Sequence, residues 1–279
     1  MDLDRSRPLR GTASLRKALR LLSELADGKQ HGLRLTEIVG RTRLDPATAH
    51  RMLACLVEES FLQKQPDKRY RLGQRVFELG LLASQFFTEH VHAHESLRRL
   101  SETVGAMAML SVRSGQETVY LDCVEGPEPF QGLRTEIGTR LPIGIGAGGV
   151  ALLAEMAPDE ADTLLRANAP RYRAFGRDVP RVLRPRIEQA RRRGFSATRS
   201  FLRPDLRAMG VAIPAAPGGF AIGIVGDESR LSDTEALASK LRAAADEVSA
   251  AVLVARGEPF SAARPSGKLL KLPKGSEKP

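Results

Sequence analysis

The sequence predicts an α+β protein in two parts. A small helical head closed by a β-hairpin comes first, then a larger, mainly antiparallel domain, with a helical connector between them. Three observations carry this prediction. Apolar residues recur at helical spacing through the first sixty positions, the β-rich segments beyond Gly105 come in hairpins, and the stretch between contains no proline. A chain of 279 residues suits two compact units of ordinary size. The expected boundaries are 12–73 for the head, 74–104 for the connector and 105–256 for the second domain. Residues 257–279, dominated by Pro, Gly, Ser and Lys, are expected to be a disordered basic tail.

In the head, "SLRKALRLLSELADG" places Leu15, Ala18, Leu19, Leu22 and Leu25 on one helical face, with Ser14 as N-cap and Gly28 as the stop. "LTEIVGRTRL" reads as a short second helix capped by Thr36, its apolar side chains being Ile38, Val39 and Leu44. The third helix lies in "LDPATAHRMLACLVEESFL". Asp45 suits its N-cap because a carboxylate accepts the free first-turn amides, and Pro46 takes the first helical position, where a missing N–H costs nothing. Ala49, Met52, Leu53, Leu56 and Val57 form its buried stripe. The remaining N-terminal face carries Ala47, Thr48, His50 and Arg51, with no acid before Glu58. Small, hydrogen-bonding and cationic groups are what a helix needs in a DNA major groove. "FLQKQPDKRYRLG" then reads as two strands turning at Pro66-Asp67, with Lys64, Lys68, Arg69 and Arg71 along them. A basic hairpin after such a helix is a wing for phosphates or the adjacent minor groove. Thr48, His50 and Arg51 are the candidate base readers; Thr36, Lys68, Arg69 and Arg71 are the candidate phosphate contacts.

The connector is apolar at Val76, Leu79, Leu82, Phe86 and Val91 and predicts one long helix or two abutting ones. His90, His92 and His94 lie at spacings that could share a metal, but no carboxylate or cysteine supports them, so no metal is assigned. In the second domain "MAMLSVRSGQETVYLDCV" and "MGVAIPAAPGGFAIGIVG" are the hairpins. Helical patterns at 149–156, 158–167, 181–193 and 232–254 lie between and after them, which makes an α+β sheet rather than a doubly wound one. The run Arg191-Arg192-Arg193 reads as a solvated helix end.

Charge is unevenly placed. Residues 1–80 hold 16 Lys/Arg against 10 Asp/Glu, residues 81–263 hold 22 of each, and residues 264–279 hold 5 against 1. A basic head on a neutral body fits a polyanion partner. Two distant cysteines, Cys55 and Cys123, exclude a disulfide framework and suit a reducing compartment. With no apolar leader and no run long enough to cross a bilayer, the chain is expected in the cytoplasm, away from membranes.

"LPIGIGAGGVALLAEM" spells G-x-G-x-x-G at Gly144, Gly146 and Gly149. A dinucleotide site needs a buried strand before the first glycine and an acid about 20 residues on. The approach "EIGTRLP" is polar and ends in Pro142, and the region of Glu160 reads as helix, so no cofactor is assigned. A glycine loop opening a helix also exposes unpaired amides at the positive end of the helix dipole, which suits a carboxylate. No nucleophile–base constellation or paired acids point to an enzyme.

The head, together with "ETVYLDCVEG", "GTRLPIGIGAGGVALLA", "ARRRGFSA" and "GIVGDESRLSDTE", resembles IclR-type transcriptional regulators almost without break to Val254. The resemblance implies a winged helix-turn-helix joined by a helix to a GAF-like effector-binding domain, a homodimer or homotetramer, a double-stranded DNA operator and a small organic acid effector. It places the acid on the amides of Gly146, Ala147, Gly148 and Gly149, with Ala147 and Gly148 as donors, and near Ser200, Gly210, Gly223 and Val225. The chain departs from the common "LPLHATALGKALLA" loop: Gly144 replaces histidine and Val150 replaces lysine. Gly210 stands where cysteine is common, Gly223-Ile-Val225-Gly226 where some members have S-x-S-G, and Thr198, Arg199 and Ser200 where acids are frequent. These changes predict a roomier, less polar cavity for a bulkier acid, aromatic ones included, with Met107, Met109 and Met209 as adaptable walls. Two alternatives stand beside this one: a winged helix that binds protein, and a regulator whose pocket has lost its ligand.

Overall fold

The computed structural model describes residues 11–26, 31–84, 89–128, 135–201, 203–214 and 219–255. The expected stop at Gly28, the apolar Phe86 and the tail beyond residue 256 lie outside these residues, as do the side chains of His90, Val91 and His92.

The head contains α1 (Ala13–Ala26), β1 (Leu33–Arg34), α2 (Leu35–Thr42), α3 (Pro46–Glu58), β2 (Leu62–Lys64) and β3 (Arg69–Leu72). Its core is Leu21, Leu25, Leu33, Ile38, Leu53, Leu62 and Tyr70. Two expected caps are corrected. Thr12 precedes α1 and accepts from Arg16 Nε, so Ser14 lies inside that helix. Arg34 caps α2, its amide donating to Glu37 Oε2 at 2.7 Å, and Thr36 is an exposed residue of the first turn. The α1 stripe is also rotated from the expected one. Leu21 and Leu25 face inward, while Leu15 and Leu19 are 59% and 54% exposed. The wing carries a strand that the sequence reading lacked, since β1 pairs with β3 to give the antiparallel order β1-β3-β2.

Next come α4 (Gln74–Ser84) and α5 (Glu89–Val104), then β4 (Met107–Ser114), β5 (Glu117–Val124) and β6 (Arg140–Pro142). The remaining elements are α6 (Ala147–Glu155), α7 (Pro158–Tyr172), α8 (Val179–Arg193), β7 (Ser196–Arg199), β8 (Leu206–Ala212), β9 (Phe220–Asp227) and α9 (Thr234–Ala255). The six strands form one antiparallel sheet in the order β6-β5-β4-β9-β8-β7. Period-two alternation sends Met107, Met109, Ala208, Ala221 and Val225 to the face covered by α6, α7 and α8, and Ala108, Leu110, Met209, Ile222 and Ile224 to the face covered by α5 and α9. The result is a three-layer α+β domain.

The helix α6 is buried along its length, from Ala147 to Ala154, because it is wedged between the sheet and α8. Arg191 closes its far end by donating to the carbonyls of Ala154 and Met156 at 3.1 Å each. Arg193 bonds Glu235 and stacks on Phe195, whose ring centroid lies 4.1 Å away. The arginine run is therefore largely structural, with Arg192 the one exposed residue of the three.

Candidate DNA interface and ligand cavity

On α3, Asp45 accepts from the Thr48 amide at 3.0 Å and Pro46 occupies the first turn, so the helix starts where the sequence places it. A hydrogen bond from the Thr48 side chain, ahead of the one from its amide, holds the Asp45 carboxyl below its ordinary range. Ala49 and Leu53 are buried. Ala47, His50 and Arg51 are exposed and Thr48 is half-buried, with Arg51 Nη2 at 3.5 Å from Thr48 Oγ1. Ala47, His50 and Arg51 thus form an exposed face at the helix entrance, with Thr48 beside it held between Asp45 and Arg51.

The wing turns through Gln65–Lys68, closed by hydrogen bonds from the Lys68 amide to the Gln65 carbonyl and from the Gln65 amide to the Arg69 carbonyl. Lys68 sits at φ 65°, the left-handed position that glycine usually fills in such turns. Lys68 and Arg71 are exposed. Arg69 is otherwise engaged. It donates to the Gly32 carbonyl at 2.9 Å and pairs with Glu37 and Asp67, so it ties the wing to the start of α2.

In the second domain a cross-strand row runs Cys123, Met109, Gly223, Gly210, Ser196 through β5, β4, β9, β8 and β7. The paired glycines remove side chains from the middle of the sheet, and the start of α6 settles there. A Cβ on Gly210 would stand 2.9 Å from the Ala147 carbonyl carbon and the Gly148 nitrogen. Ser196 Oγ donates to the Ala147 carbonyl at 2.7 Å and so fixes that approach. The amides of Ala147, Gly148 and Gly149 are buried and find no acceptor among the described residues; the first helical bond is from Val150 to Gly146.

Against this helix start lies a cavity of about 540 Å³ of atom-free space, its open mouth included. Its enclosed part is tight, about 30 Å³. Of the expected residues, Met109, Gly146, Ala147, Gly148, Ser200, Gly223 and Val225 border it. Met209 borders it too, but its side chain packs into the opposite core, and Met107 is buried in the near core without lining the cavity. Gly149 and Gly210 act beneath the site: a Cβ on Gly149 would meet the Gly144 nitrogen at 2.7 Å, so both glycines allow close packing and do not touch the space. Apolar side chains of Met109, Ile145 and Val225 supply much of its wall. Hydroxyls of Ser111, Tyr120, Thr135, Thr198 and Ser200 line it, and no charged side chain does. Tyr120 and Ser111, which the sequence reading missed, lie on strands facing α6; burial pushes the Tyr120 hydroxyl up to about 12, so it stays protonated.

The glycine fingerprint is preceded by a three-residue edge strand, β6, antiparallel to β5, and Glu160 lies on α7. Neither matches a dinucleotide fold. Among the described residues no group of His, Cys, Asp or Glu could hold a metal, and His94 instead meets Asp122 at 2.8 Å. No described helix is long and apolar enough to cross a membrane.

Comparisons with known proteins agree with this geometry. The IclR helix-turn-helix domain model matches residues 14–66, and the model described as Bacterial transcriptional regulator IclR C-terminal matches residues 90–250. The chain is similar to the HTH-type transcriptional regulator BhcR of Paracoccus denitrificans, with 30% identity over 80% of either chain. It is also similar to the transcriptional repressor IclR of Escherichia coli, 27% identical over 79% of this chain and 82% of the relative. A solved regulator from Silicibacter sp. TM1040 superposes with a TM-score of 0.75 at 22% identity, covering 91% of this chain and all of that one. An IclR homologue from Microbacterium hydrocarbonoxydans, solved with 4-hydroxybenzoate, gives 0.72 at 24% identity over 87% of this chain and all of that one. With family models spanning most of its length, and relatives that are DNA-binding regulators and not enzymes, the chain belongs to the IclR family of transcriptional regulators.

Proposed function

We propose that the chain binds an operator as a homo-oligomer and that a small organic acid in the sheet cavity changes the strength of that binding. Thr48, His50 and Arg51, with Ala47 small enough to allow close approach, read base edges. Thr36, Lys68 and Arg71 hold phosphates, while Arg69 braces the wing they stand on. The observation that carries the sensor half is the pair of buried amides of Ala147 and Gly148, without an acceptor among the described residues, which border the cavity at the start of α6. A buried donor without an acceptor costs about 1–3 kcal/mol, and a carboxylate satisfies the group while meeting the positive end of the helix dipole. The tight enclosed space favours a compact monocarboxylate.

Self-association is supported by two apolar faces in and beside the head. Leu15 and Leu19 on α1 and Phe77, Leu81 and Leu82 on α4 are each more than half exposed. An isologous pairing through such faces would set two recognition helices about one DNA turn, roughly 34 Å, apart. Acid binding then acts only through its different affinity for the DNA-competent and DNA-incompetent arrangements.

A thermal-shift screen with pyruvate, lactate, benzoate and 4-hydroxybenzoate tests the sensor half. A binding acid at 100 times its Kd adds about 2.7 kcal/mol to the folded state and raises the melting temperature by about 5–10 °C. No shift with any acid would sink it. Titrating salt against fluorescence anisotropy of a duplex tests the other half, because phosphate contacts make affinity fall steeply with salt.

A further inference from the structure

The helix α6 has an unusual start. Its N-cap is Gly146, which brings no side-chain oxygen to a position where Ser, Thr, Asp or Asn is the common choice. The space is occupied from another element. A Cβ built on Gly146 would stand 2.7 Å from the hydroxyl oxygen of Tyr120, whose side chain comes across from β5. Tyr120 is 92% buried, borders the cavity, and its hydroxyl has no hydrogen-bond partner among the described residues. The hydroxyl of Ser111, also at the helix start, already donates to the Ala221 carbonyl, and that of Thr198 to the Arg199 carbonyl. An unspent buried O–H therefore sits beside the unspent N–H groups of Ala147 and Gly148, and these three donors border one small space.

We infer that Tyr120 is the side-chain donor of the acid site, completing from β5 the ring of donors that the uncapped start of α6 begins, and that it selects carboxylates over neutral analogues of the same shape. This rests on the acid-site reading proposed above. Three donors and no lining cation or carboxylate suit one acceptor-only anion: a monocarboxylate, in preference to its amide, a dicarboxylate or an amine. Gly146 has a role in this arrangement, because any side chain there would displace the tyrosine oxygen. Burial keeps the phenol protonated across the working pH range, so it donates and does not repel the anion.

The test is calorimetry on the full chain and on Tyr120→Phe and Ser111→Ala, with pyruvate, lactate, benzoate and 4-hydroxybenzoate, and with lactamide as the neutral counterpart of lactate. Tyr120→Phe removes one oxygen and keeps the ring, so its unliganded melting temperature should match that of the unaltered chain. Its affinity for the acid that binds the unaltered chain best should fall about tenfold or more, and its preference for lactate over lactamide should shrink. Ser111→Ala should lose less than threefold. If the unaltered chain binds an acid and Tyr120→Phe binds it within twofold, the inference fails and the acid-site reading stands. Equal losses in both variants would assign the effect to general cavity polarity and overturn it too. If no acid binds the unaltered chain, the acid-site reading itself fails and takes this inference with it.

Discussion

Replacing Gly210 by alanine puts the packing of α6 under a defined load. The new methyl carbon would stand 2.9 Å from the Ala147 carbonyl carbon and the Gly148 nitrogen, and 3.0 Å from the Ala147 oxygen. All three are backbone atoms of the helix start, so no side-chain rotation relieves the contact. Reaching an ordinary 3.4 Å requires the helix and β8 to part by about 0.5 Å. Overpacking of this kind costs about 1–3 kcal/mol, offset by about 0.4–1 kcal/mol from the stiffer unfolded chain. At mid-range the net loss is about 1.3 kcal/mol, a fall in melting temperature of about 3–5 °C, and the displaced amides should weaken acid binding in parallel. Gly148→Ala is the contrast. Its methyl would meet only the Ser111 hydroxyl oxygen, at 2.5 Å, which can rotate away. The lost Ser111 hydrogen bond, about 1 kcal/mol, is balanced by a similar gain in helix propensity. Differential scanning fluorimetry with calorimetry reads both variants. A Gly210→Ala protein that melts as high as the unaltered chain and binds acids as well would refute the close-packed helix start.

Other residues give sharper separations of fold from function. Lys68→Gly should leave the head as stable or slightly more so, because φ 65° suits glycine, while DNA affinity falls and the salt dependence drops by about one phosphate contact, read by anisotropy over a salt series. Arg69→Ala should instead lower the melting temperature of the head, since its bonds to Gly32, Glu37 and Asp67 are internal; loss of DNA affinity with no change in stability would contradict that role. Burial alone would raise the Glu117 carboxyl, but hydrogen bonds from Arg140 and Arg171 outweigh it and hold it below its ordinary 4.5. The stabilisation is therefore complete above pH 4.5 and fades as pH falls through the lower folded value, so Glu117→Gln should flatten the acid side of the stability profile measured by urea titration.

What was legible in the sequence was what is local. Asp45-Pro46 marks the start of α3 because cap and first turn are neighbours in the chain, and the alternation of the hairpins gave the antiparallel sheet. The α1 stripe was misjudged because Leu15, Leu19, Leu21 and Leu25 make two apolar faces, and only tertiary packing decides which one the head covers. Tyr120 was hidden by a β-bulge. Met109 lies opposite Cys123 but Ser111 lies opposite Tyr120, so one extra residue in β5 resets the alternation and turns Tyr120, not Leu121, toward α6. The same bulge leaves Asp122 on the other face, where His94 of α5 meets it. Gly223 borders the cavity as the sequence predicts, but Gly210 does not, because a glycine that lets a helix approach and one that opens a cavity look alike in a sequence.

The most direct test of the DNA-reading face is selection of binding sites from a random duplex library by the unaltered chain and by Arg51→Ala. The unaltered chain should enrich a motif with two symmetric half-sites, and Arg51→Ala should lose the preference at one base pair in each half, at a cost of about 1–3 kcal/mol on the selected site. An identical motif from both proteins, bound with the same affinity, would mean that the face of α3 beginning at Asp45 does not enter the groove.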